Sequence, residues 1–289
     1  MQFGLLFSNQ TDHNFEVNFL DVGQGDSILL TTPNKKLILI DGGPKTNPEP
    51  LNTINSKSLF SSCEIELLVI THPHSDHTKG LLDIFDSCEV LNIVMTNQLY
   101  ESDIYESVVE SMVNEDSNIK LAQNTDLISI DGVNLQILWP KSSVDESPGI
   151  DCDYVKFCEN KCKIFQDLVG QVPYTCDNPN LDSIVLLVSY NDFDILLTAD
   201  AENEILENLD INNVEVLKVP HQGSADSLNI AFLEKVKPLV GVISVGKNTY
   251  GHPSPKVLGE YDNRNIKMLR TDENGNVVVK SDGKDFWVE

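Results

Sequence analysis

Short apolar runs alternate with polar breaks through the first half of the chain, a rhythm typical of β-strands. Phe15-Glu-Val-Asn-Phe-Leu alternates apolar and polar side chains, as a half-buried strand does. Pro33-Asn34 separates two further runs and indicates a hairpin. The pattern therefore predicts strands at 15–20, 26–32, 36–41, 65–71 and 133–139, and helices at 79–87 and 101–114.

The same alternation resumes after residue 182, where Asn191-Asp192 forms a tight-turn pair between two apolar runs. The pattern predicts strands at 183–190, 193–199, 214–219, 239–245, 266–270, 275–280 and 284–288, and helices at 201–209 and 227–236. Residues 141–180 break the rhythm with three prolines and four of the six cysteines. We interpret them as an insertion that caps the site, within one domain spanning 1–289. Strands followed by helices in both halves favour an α/β fold of two packed sheets with helices outside.

Composition and charge restrict the class of protein. Apolar residues make up 40 % of the chain and the mean hydropathy is −0.16, which indicates a soluble globular protein. No run of 18 apolar residues occurs, and the first residues lack a basic segment, so we expect a cytoplasmic protein without a membrane partner. The net charge is −25, but residues 201–289 hold 14 acidic and 10 basic residues against 31 and 10 in 1–200. An anionic substrate should therefore approach the C-terminal third.

The cysteines allow more than one interpretation. Cys63 and Cys88 lie beside apolar runs and are expected to be buried thiols. The remaining four have a spacing that fits no standard zinc knuckle, and cytosolic disulfides are disfavoured. We expect free thiols there, with a structural zinc site or disulfides as alternatives; the four are Cys152, Cys158, Cys162 and Cys176.

Residues 70–80 concentrate candidate chemistry, because half of the chain's six histidines lie there. His72, His74, Asp76 and His77 offer imidazole and carboxylate groups, the ligand types of zinc, manganese and iron(II). Residues two apart in an extended segment point the same way, so His72 and His74 can hold one metal. Asp76 and His77 project differently and could hold a second.

Four apolar runs end on a residue that can bind metal. The four residues are Asp41, His72, Asp200 and His221. Neighbouring strands that end together at one edge would bring these side chains into one site, held accurately by rigid strands.

These motifs resemble the metallo-β-lactamase-fold hydrolase superfamily, whose signature is H-x-H-x-D-H. More narrowly, the chain is similar to the C-terminal hydrolase domain of ComEC-type DNA-uptake proteins. The matching pieces, in order, are Leu20-Asp-Val-Gly-Gln-Gly-Asp-Ser, Leu39-Ile-Asp-Gly-Gly, Thr71-His-Pro-His-Ser-Asp-His, Leu196-Leu-Thr-Ala-Asp, Leu217-Lys-Val-Pro-His-Gln-Gly-Ser, Ser244-Val-Gly-Lys-Asn-Thr-Tyr-Gly-His-Pro and Arg270-Thr-Asp.

The resemblance implies a four-layer αββα sandwich with a two-metal site at one edge. His72 and His74 would hold one ion, Asp76, His77 and His221 the other, with Asp200 bridging both. Asp41 would lie behind the ligands and orient one of them or the attacking water.

One departure from the superfamily concerns the third histidine of the first metal. The corresponding segment, Asn178-Pro-Asn-Leu-Asp-Ser, has none, and ComEC-type relatives also tend to carry asparagine there. Asn180 or Asp182 could compensate, although each also suits a turn. An oxygen-rich site shifts preference from Zn²⁺ toward Mn²⁺ or Mg²⁺. Gln222 also replaces a histidine common in the family.

The function that the resemblance implies is phosphodiester hydrolysis of nucleic acid, with DNA as the expected substrate, through water activated by two divalent ions. The candidate catalytic residues are Asp76, Asp41 and His252, and the candidate substrate contacts are Lys218, Lys247 and Ser224. The acidic charge favours single-strand ends, short substrates or delivery by a partner protein. Hydrolysis of a small molecule, such as a cyclic nucleotide, lactone or thioester, is the alternative, because one fold hosts many activities.

Overall fold

Two β-sheets packed face to face form the centre of the molecule. The computed structural model describes residues 14–44, 48–58, 63–141, 152–154 and 161–289. The strands are β1 (Phe15–Phe19), β2 (Ile28–Thr31), β3 (Leu37–Ile40), β4 (Glu64–Ile65), β5 (Leu67–Ile70), β6 (Glu89–Val90), β7 (Asn92–Met95), β8 (Asn118–Leu121), β9 (Leu127–Ile130), β10 (Val133–Trp139), β11 (Cys152–Tyr154), β12 (Tyr174–Cys176), β13 (Val185–Tyr190), β14 (Phe193–Leu197), β15 (Val216–Lys218), β16 (Val240–Ile243), β17 (Lys267–Arg270), β18 (Val277–Ser281) and β19 (Phe286–Val288). The helices are α1 (Glu49–Lys57), α2 (Ser75–Thr78), α3 (Leu81–Ser87), α4 (Asp103–Asn114), α5 (Lys161–Val169), α6 (Asn203–Leu206), α7 (Ile230–Val236), α8 (Pro255–Asp262) and α9 (Thr271–Asn274).

Each large sheet combines an antiparallel part with a parallel part. The first has the order β19-β18-β1-β2-β3-β5-β7-β8, and β3, β5, β7 and β8 are parallel. The second has the order β17-β16-β15-β14-β13-β10-β9, and β14 to β17 are parallel. Parallel strands need crossover connections, and here these carry helices that cover the outer faces.

Strand β5 shows why its sequence is apolar at every position. Leu67 and Val69 point into the core between the sheets, whereas Leu68 and Ile70 point into a second core under the helices. Successive side chains leave opposite faces of a strand, so a strand covered on both faces needs an unbroken apolar run.

Helices cover both outer faces, which completes four layers. Ile54 of α1, Ile84 of α3 and Val108 of α4 pack on the first sheet. The second sheet is covered by α6, α7 and α8 through Ile205, Phe232 and Val257. Between the sheets, Phe15 contacts Phe193 with ring centroids 6.4 Å apart. The αββα architecture expected from the sequence is confirmed.

Most sequence-predicted elements are confirmed, with boundaries shifted by one to three residues. The helix predicted at 201–209 is present but shorter, because only Asn203–Leu206 is helical. Helix α1 and strands β7, β8 and β9 were missed. In the region interpreted as an insertion, the structure shows β11 paired with β12, and helix α5. None of the helices in the described part of the chain combines the length and apolar character needed to cross a bilayer.

The cysteine predictions need correction. Cys63 and Cys88 form a disulfide with Cα atoms 4.5 Å apart. They directly precede β4 and β6, and the parallel pairing of Glu64 with Glu89 brings them side by side. Cys162 and Cys176 are also disulfide-bonded, so neither is the expected free thiol or available to a zinc ion. Cys158 and the side chain of Cys152 lie outside the described residues.

Candidate metal centre

Parallel strand pairs deliver the four strand-end residues to one edge of the sandwich. Asp41 and His72 follow β3 and β5, which are parallel neighbours in the first sheet. Asp200 and His221 follow β14 and β15, which are parallel neighbours in the second. Because the carboxyl ends of parallel neighbours share an edge, the two pairs meet across the sandwich.

A compact cluster of His72, His77 and Asp200 lies where the pairs meet. One ligand atom from each lies within 4.8 Å of the others, and all three residues are buried. His77 Nε2 is 3.4 Å from Asp200 Oδ2, and the rings of His72 and His77 are 4.1 Å apart at their centroids. His221 Nε2 lies 3.7 Å from the same carboxylate oxygen. Asp200 therefore occupies the centre of the histidine group.

His74 and Asp76 complete the group on the solvent side. His74 Nδ1 is 3.1 Å from His72 Nε2. Asp76 Oδ2 is 3.9 Å from His77 Nε2 and keeps about a third of its side chain exposed. The structure thus brings all six sequence-predicted metal ligands around one point. His72 and His77, which were expected from the sequence to bind different ions, lie close to each other in this group.

Asp41 fixes the orientation of two histidines from behind the cluster. Its Oδ2 accepts a hydrogen bond from Thr71 Oγ1 at 2.6 Å and lies 2.8 Å from His77 Nδ1. Thr71 Oγ1 is in turn 3.1 Å from His72 Nδ1. Because the Thr71 proton goes to the carboxylate, both imidazoles are best satisfied as Nδ1–H donors. In neutral rings this arrangement leaves Nε2 of His72 and His77 without a proton, and a metal ion bound to His72 would replace the contact of its Nε2 with His74 Nδ1.

Lys218 does not reach the substrate side, which corrects its predicted role. Its side chain is completely buried, and its ammonium group contacts the Asp26 carboxylate and donates to the Ala199 carbonyl at 2.6 Å. Asp200 Oδ1 lies 3.7 Å away. Although burial opposes its charge, these carboxylates raise the Lys218 pKa. Lys218 is a permanent cation behind the cluster, on the inward-facing position of β15.

Two polar residues beside the cluster were not assigned a firm role from the sequence. Glu202 Oε1 is 3.7 Å from His221 Nδ1 and accepts from Asn180 Nδ2 at 3.1 Å. The Asn180 Oδ1 atom is buried and accepts no hydrogen bond from the described part of the chain, and Asn180 lines the cavity next to the cluster. An acidic residue two positions after a strand-end aspartate is the signal that could have identified Glu202.

Asp182, the other candidate substitute for the missing histidine, belongs to the interior. Its carboxyl group accepts a hydrogen bond from Tyr174. Burial raises the Asp182 pKa to about 7, against the opposing hydrogen bonds from Tyr174 and Thr96. Asp182 is absent from the residues that line the cavity.

A glutamine pair holds Asp76 in place. Gln222 Nε2 donates to Asp76 Oδ2 at 3.0 Å, and Gln24 Nε2 donates to Gln222 Oε1. The loop carrying Gln24 approaches so closely that a Cβ on Gly25 would lie 2.1 Å from the Asp76 carbonyl oxygen. Gly25 also has φ +137°, so this approach requires glycine.

The cluster opens onto a cavity of about 910 Å³. His74, Asp76, Asp200, His221, Lys247 and His252 are among the residues that line it. The ring centroids of His252 and His221 are 5.5 Å apart. Burial lowers the pKa of His252, and the nearby His221 lowers it further. Ser224, predicted to contact substrate, is not part of the lining; it is buried, and its hydroxyl accepts from the Asp226 amide. That prediction is corrected.

The donor set suits divalent cations. His77 Nε2 and Asp200 Oδ1 are buried and have no hydrogen-bond partner among the residues that the structure describes, so each has a coordination position to fill. Burial would lower the His77 pKa, but the carboxylates of Asp200, Asp76 and Asp41 raise it well above its usual value. A field that holds a proton so strongly also attracts a metal cation, which displaces that proton on binding.

Sequence comparison finds a match to the superfamily that the motifs resemble over part of the chain. Residues 20–140 match the metallo-β-lactamase superfamily. The chain is 24 % identical over 285 residues to ComE operon protein 3 of Bacillus subtilis, covering 92 % of this chain and 33 % of that protein. It is also 24 % identical over 284 residues to recombination protein 2 of Haemophilus influenzae, covering 95 % of this chain and 30 % of that protein. The chain thus spans about a third of the length of these relatives.

Solved structures share the fold. The metallo-β-lactamase fold protein YhfI from Bacillus subtilis superposes with a TM-score of 0.54 at 9 % identity, covering 93 % of this chain and all of that one. CmlA, a diiron β-hydroxylase from Streptomyces venezuelae, gives 0.53 at 12 % identity, covering 92 % of this chain and 54 % of that one. Identities this low show a common fold, and the second protein's chemistry differs from hydrolysis, so function must be argued from the site.

Proposed function

We propose that this chain, which has the metallo-β-lactamase fold, is a metal-dependent phosphodiesterase that cleaves DNA. The observation that carries the proposal is the cluster of His72, His77 and Asp200, with unpartnered ligand atoms beside a wide cavity. The similarity to ComEC-type proteins over more than nine-tenths of the chain supports nucleic acid as the substrate.

The residues divide into ligands and groups that orient them. His72, His77 and Asp200 would hold ions at the buried centre, with His74, Asp76 and His221 on the open side. Divalent ions bound there supply Lewis-acid stabilisation of anionic oxygen and lower the pKa of water.

The first metal position lacks a third histidine, and Asn180 is the best substitute in the structure. Its amide nitrogen is held by Glu202, so its unpartnered oxygen is fixed in place beside the cluster. An amide oxygen in place of a third imidazole, together with the Asp200 carboxylate, makes the position richer in oxygen than three histidines would. We therefore favour Mn²⁺ over Zn²⁺, with Mg²⁺ also suitable.

Substrate contacts come from the cavity wall. His252 would donate a hydrogen bond to the leaving oxygen, because its lowered pKa keeps the ring neutral with one N–H. Lys247 is exposed at the wall and would contact a phosphate. With a net charge of −25 and one lysine among the lining residues, a long duplex is disfavoured unless a partner protein delivers the DNA.

The cavity size keeps one alternative open. A volume of about 910 Å³ lies within the range of pockets that bind small molecules. Hydrolysis of a cyclic nucleotide or a small ester is therefore the second candidate function.

A substrate panel separates these activities. The purified chain is incubated with Mn²⁺, Mg²⁺ or Zn²⁺ and single-stranded DNA, duplex DNA, RNA or cyclic dinucleotides. We expect Mn²⁺-dependent DNA cleavage that is lost in the double variant Asp76→Asn, His77→Ala and retained in Asp86→Asn, which changes an exposed aspartate. DNA cleavage that persists in the double variant would refute the site, and turnover of small esters alone would refute the DNA substrate.

The disulfides bear on the compartment. A cytoplasmic protein was expected, but disulfides persist mainly in oxidising environments. We propose that the chain acts in such a compartment, which alkylation of the Cys63–Cys88 pair in cell fractions tests directly. Trapping both cysteines as free thiols in the producing cell would contradict this location.

A further inference from the structure

Two tyrosines flank the cavity, one from each sheet of the sandwich. Tyr100 follows β7 of the first sheet, and Tyr250 lies in the loop after β16 of the second. Both line the cavity that opens from the metal cluster. Nothing in the hydrolytic chemistry proposed above uses either ring.

Each tyrosine ends a row of rings that leads to a metal-binding histidine. On one side, the centroids of Tyr250 and His252 are 6.0 Å apart with 36° between planes, and His252 is 5.5 Å from His221. On the other side, Tyr100 is 5.5 Å from His74, which is 4.9 Å from His72. The planes of Tyr100 and His74, His74 and His72, and His252 and His221 are close to perpendicular, so the rings touch edge to face and line the path from the cluster to the cavity wall.

Tyr250 has no packing role that would explain its position. It is 75 % exposed, more than any other large hydrophobic side chain in the described ranges. The loop beneath it is nevertheless well ordered by hydrogen bonds. Asn248 Oδ1 accepts from the amides of Tyr250, Gly251 and His252, and Asn248 Nδ2 donates to two carbonyl oxygens. An exposed ring on a braced loop is arranged for contact with a ligand.

The charge of the site indicates which ligand. Among the described residues, Lys247 is the one lysine or arginine that lines this cavity, so phosphate contacts alone would hold a polyanion weakly against a net charge of −25. Stacking of bases on aromatic side chains contributes binding energy without phosphate charge and tolerates any sequence. Bases can stack in this way only when they are unpaired.

We propose that Tyr250 and Tyr100 are stacking surfaces for nucleobases beside the scissile phosphate, and that they make single-stranded nucleic acid the substrate class. This inference rests on the proposed phosphodiesterase function. Tyr250 should contribute more to base stacking than Tyr100, because its ring is more exposed to solvent.

Binding is tested with a single-stranded phosphorothioate decamer that resists cleavage and carries 2-aminopurine, whose fluorescence falls on stacking. We expect quenching with the full chain in Mn²⁺, and a Kd about 5- to 100-fold higher for Tyr250→Ala. Tyr250→Trp should restore both affinity and quenching, because it keeps a flat ring. Trp287→Ala removes an exposed aromatic residue that does not line the cavity and should leave the Kd unchanged.

A kinetic comparison separates a loss of stacking from a general loss of catalytic activity. The ratio of kcat/KM for a single-stranded oligonucleotide to that for bis-p-nitrophenyl phosphate, which has no nucleobase, should fall at least fivefold in Tyr250→Ala, mainly through KM. An unchanged ratio with an unchanged Kd would overturn the stacking role while leaving the phosphodiesterase standing. Tyr250-dependent quenching without any cleavage would refute the phosphodiesterase and support the stacking surface. Tighter binding of duplex than of single strands would overturn the substrate class.

Discussion

Asp41 is the residue whose replacement tests the ligand orientation most specifically. Its carboxylate contacts His77 directly and His72 through Thr71, so one oxygen sets the free nitrogen of both imidazoles. Its backbone has φ 58°, a conformation that asparagine adopts readily. Asp41→Asn therefore changes the hydrogen bonding while leaving the turn intact.

The expected loss follows from the geometry. Asp41 Oδ1 accepts from the Thr71 amide at 2.8 Å, so the asparagine oxygen should keep that bond. The amide group then faces His77 Nδ1 as a donor, which forces the proton of His77 onto Nε2 and blocks the metal-binding atom. Removing such an orienting partner typically lowers metal affinity about 10- to 100-fold, or ~1.4–2.8 kcal/mol.

Isothermal titration of Mn²⁺ into the metal-free variant measures this loss. The matched control is Asp86→Asn on the exposed face of α3, which should bind Mn²⁺ like the unmodified chain. The gain in melting temperature on adding Mn²⁺ should shrink in parallel, since a ligand stabilises the fold according to its affinity. An Asp41→Asn chain that binds Mn²⁺ with unchanged Kd would refute the claim that Asp41 sets the imidazole orientation.

Three further variants test the surroundings of the site by urea unfolding. Lys218→Met should lower the free energy of unfolding by about 3–5 kcal/mol, because it leaves the buried Asp26 carboxylate without its partner. The double variant Lys218→Met, Asp26→Asn should lose less stability. Equal losses in the single and double variants would contradict the pairing of Lys218 with Asp26. Asp182 has a folded-state pKa of about 7 against 3.8 for the free group, so the folded state holds its proton longer and stability falls as pH rises from about 4 to 7. Asp182→Asn should remove that fall, so the free energy of unfolding of the variant relative to the unmodified chain should be ~4 kcal/mol higher at pH 8 than at pH 4. The same difference between variant and unmodified chain at both pH values would contradict this prediction. Replacing Cys63 and Cys88 by serine should cost about 2–4 kcal/mol, whereas no loss would show that the disulfide does not constrain the unfolded chain.

The strand-end pattern made the fold and the position of the site predictable. An apolar run that ends in a ligand residue is a local signal, and parallel pairing turns four such signals into one cluster. The apolar runs identified Asp41, His72, Asp200 and His221 as strand-end residues, and the family resemblance supplied the fold that brings them together.

The direction of a side chain on a short strand was not predictable. Lys218 is adjacent to motif residues, and its charge suggested a phosphate contact. Strand β15 has three residues, however, and the pairing of Leu217 and Lys218 with β16 decides which face each occupies. Only the register shows that Lys218 points inward to Asp26.

Contacts between segments that are distant in the sequence were also not predictable. The Cys63–Cys88 disulfide depends on the pairing of two strands of two residues each, too short to give a pattern. The bonds from Gln24 to Gln222 and from Gln222 to Asp76 join three segments that are far apart in the sequence. Single-sequence periodicity reports the buried face of an element and carries no information on which loops meet.

We expect the cluster at the edge of the sandwich to bind divalent metal ions through Asp200. Equilibrium dialysis against Mn²⁺, with bound metal measured per chain, tests it most directly in the unmodified chain and in Asp200→Asn. Two bound ions are expected in the unmodified chain and a loss of at least one in the variant. No bound Mn²⁺ in the unmodified chain, or the same content in both chains, would contradict the claim.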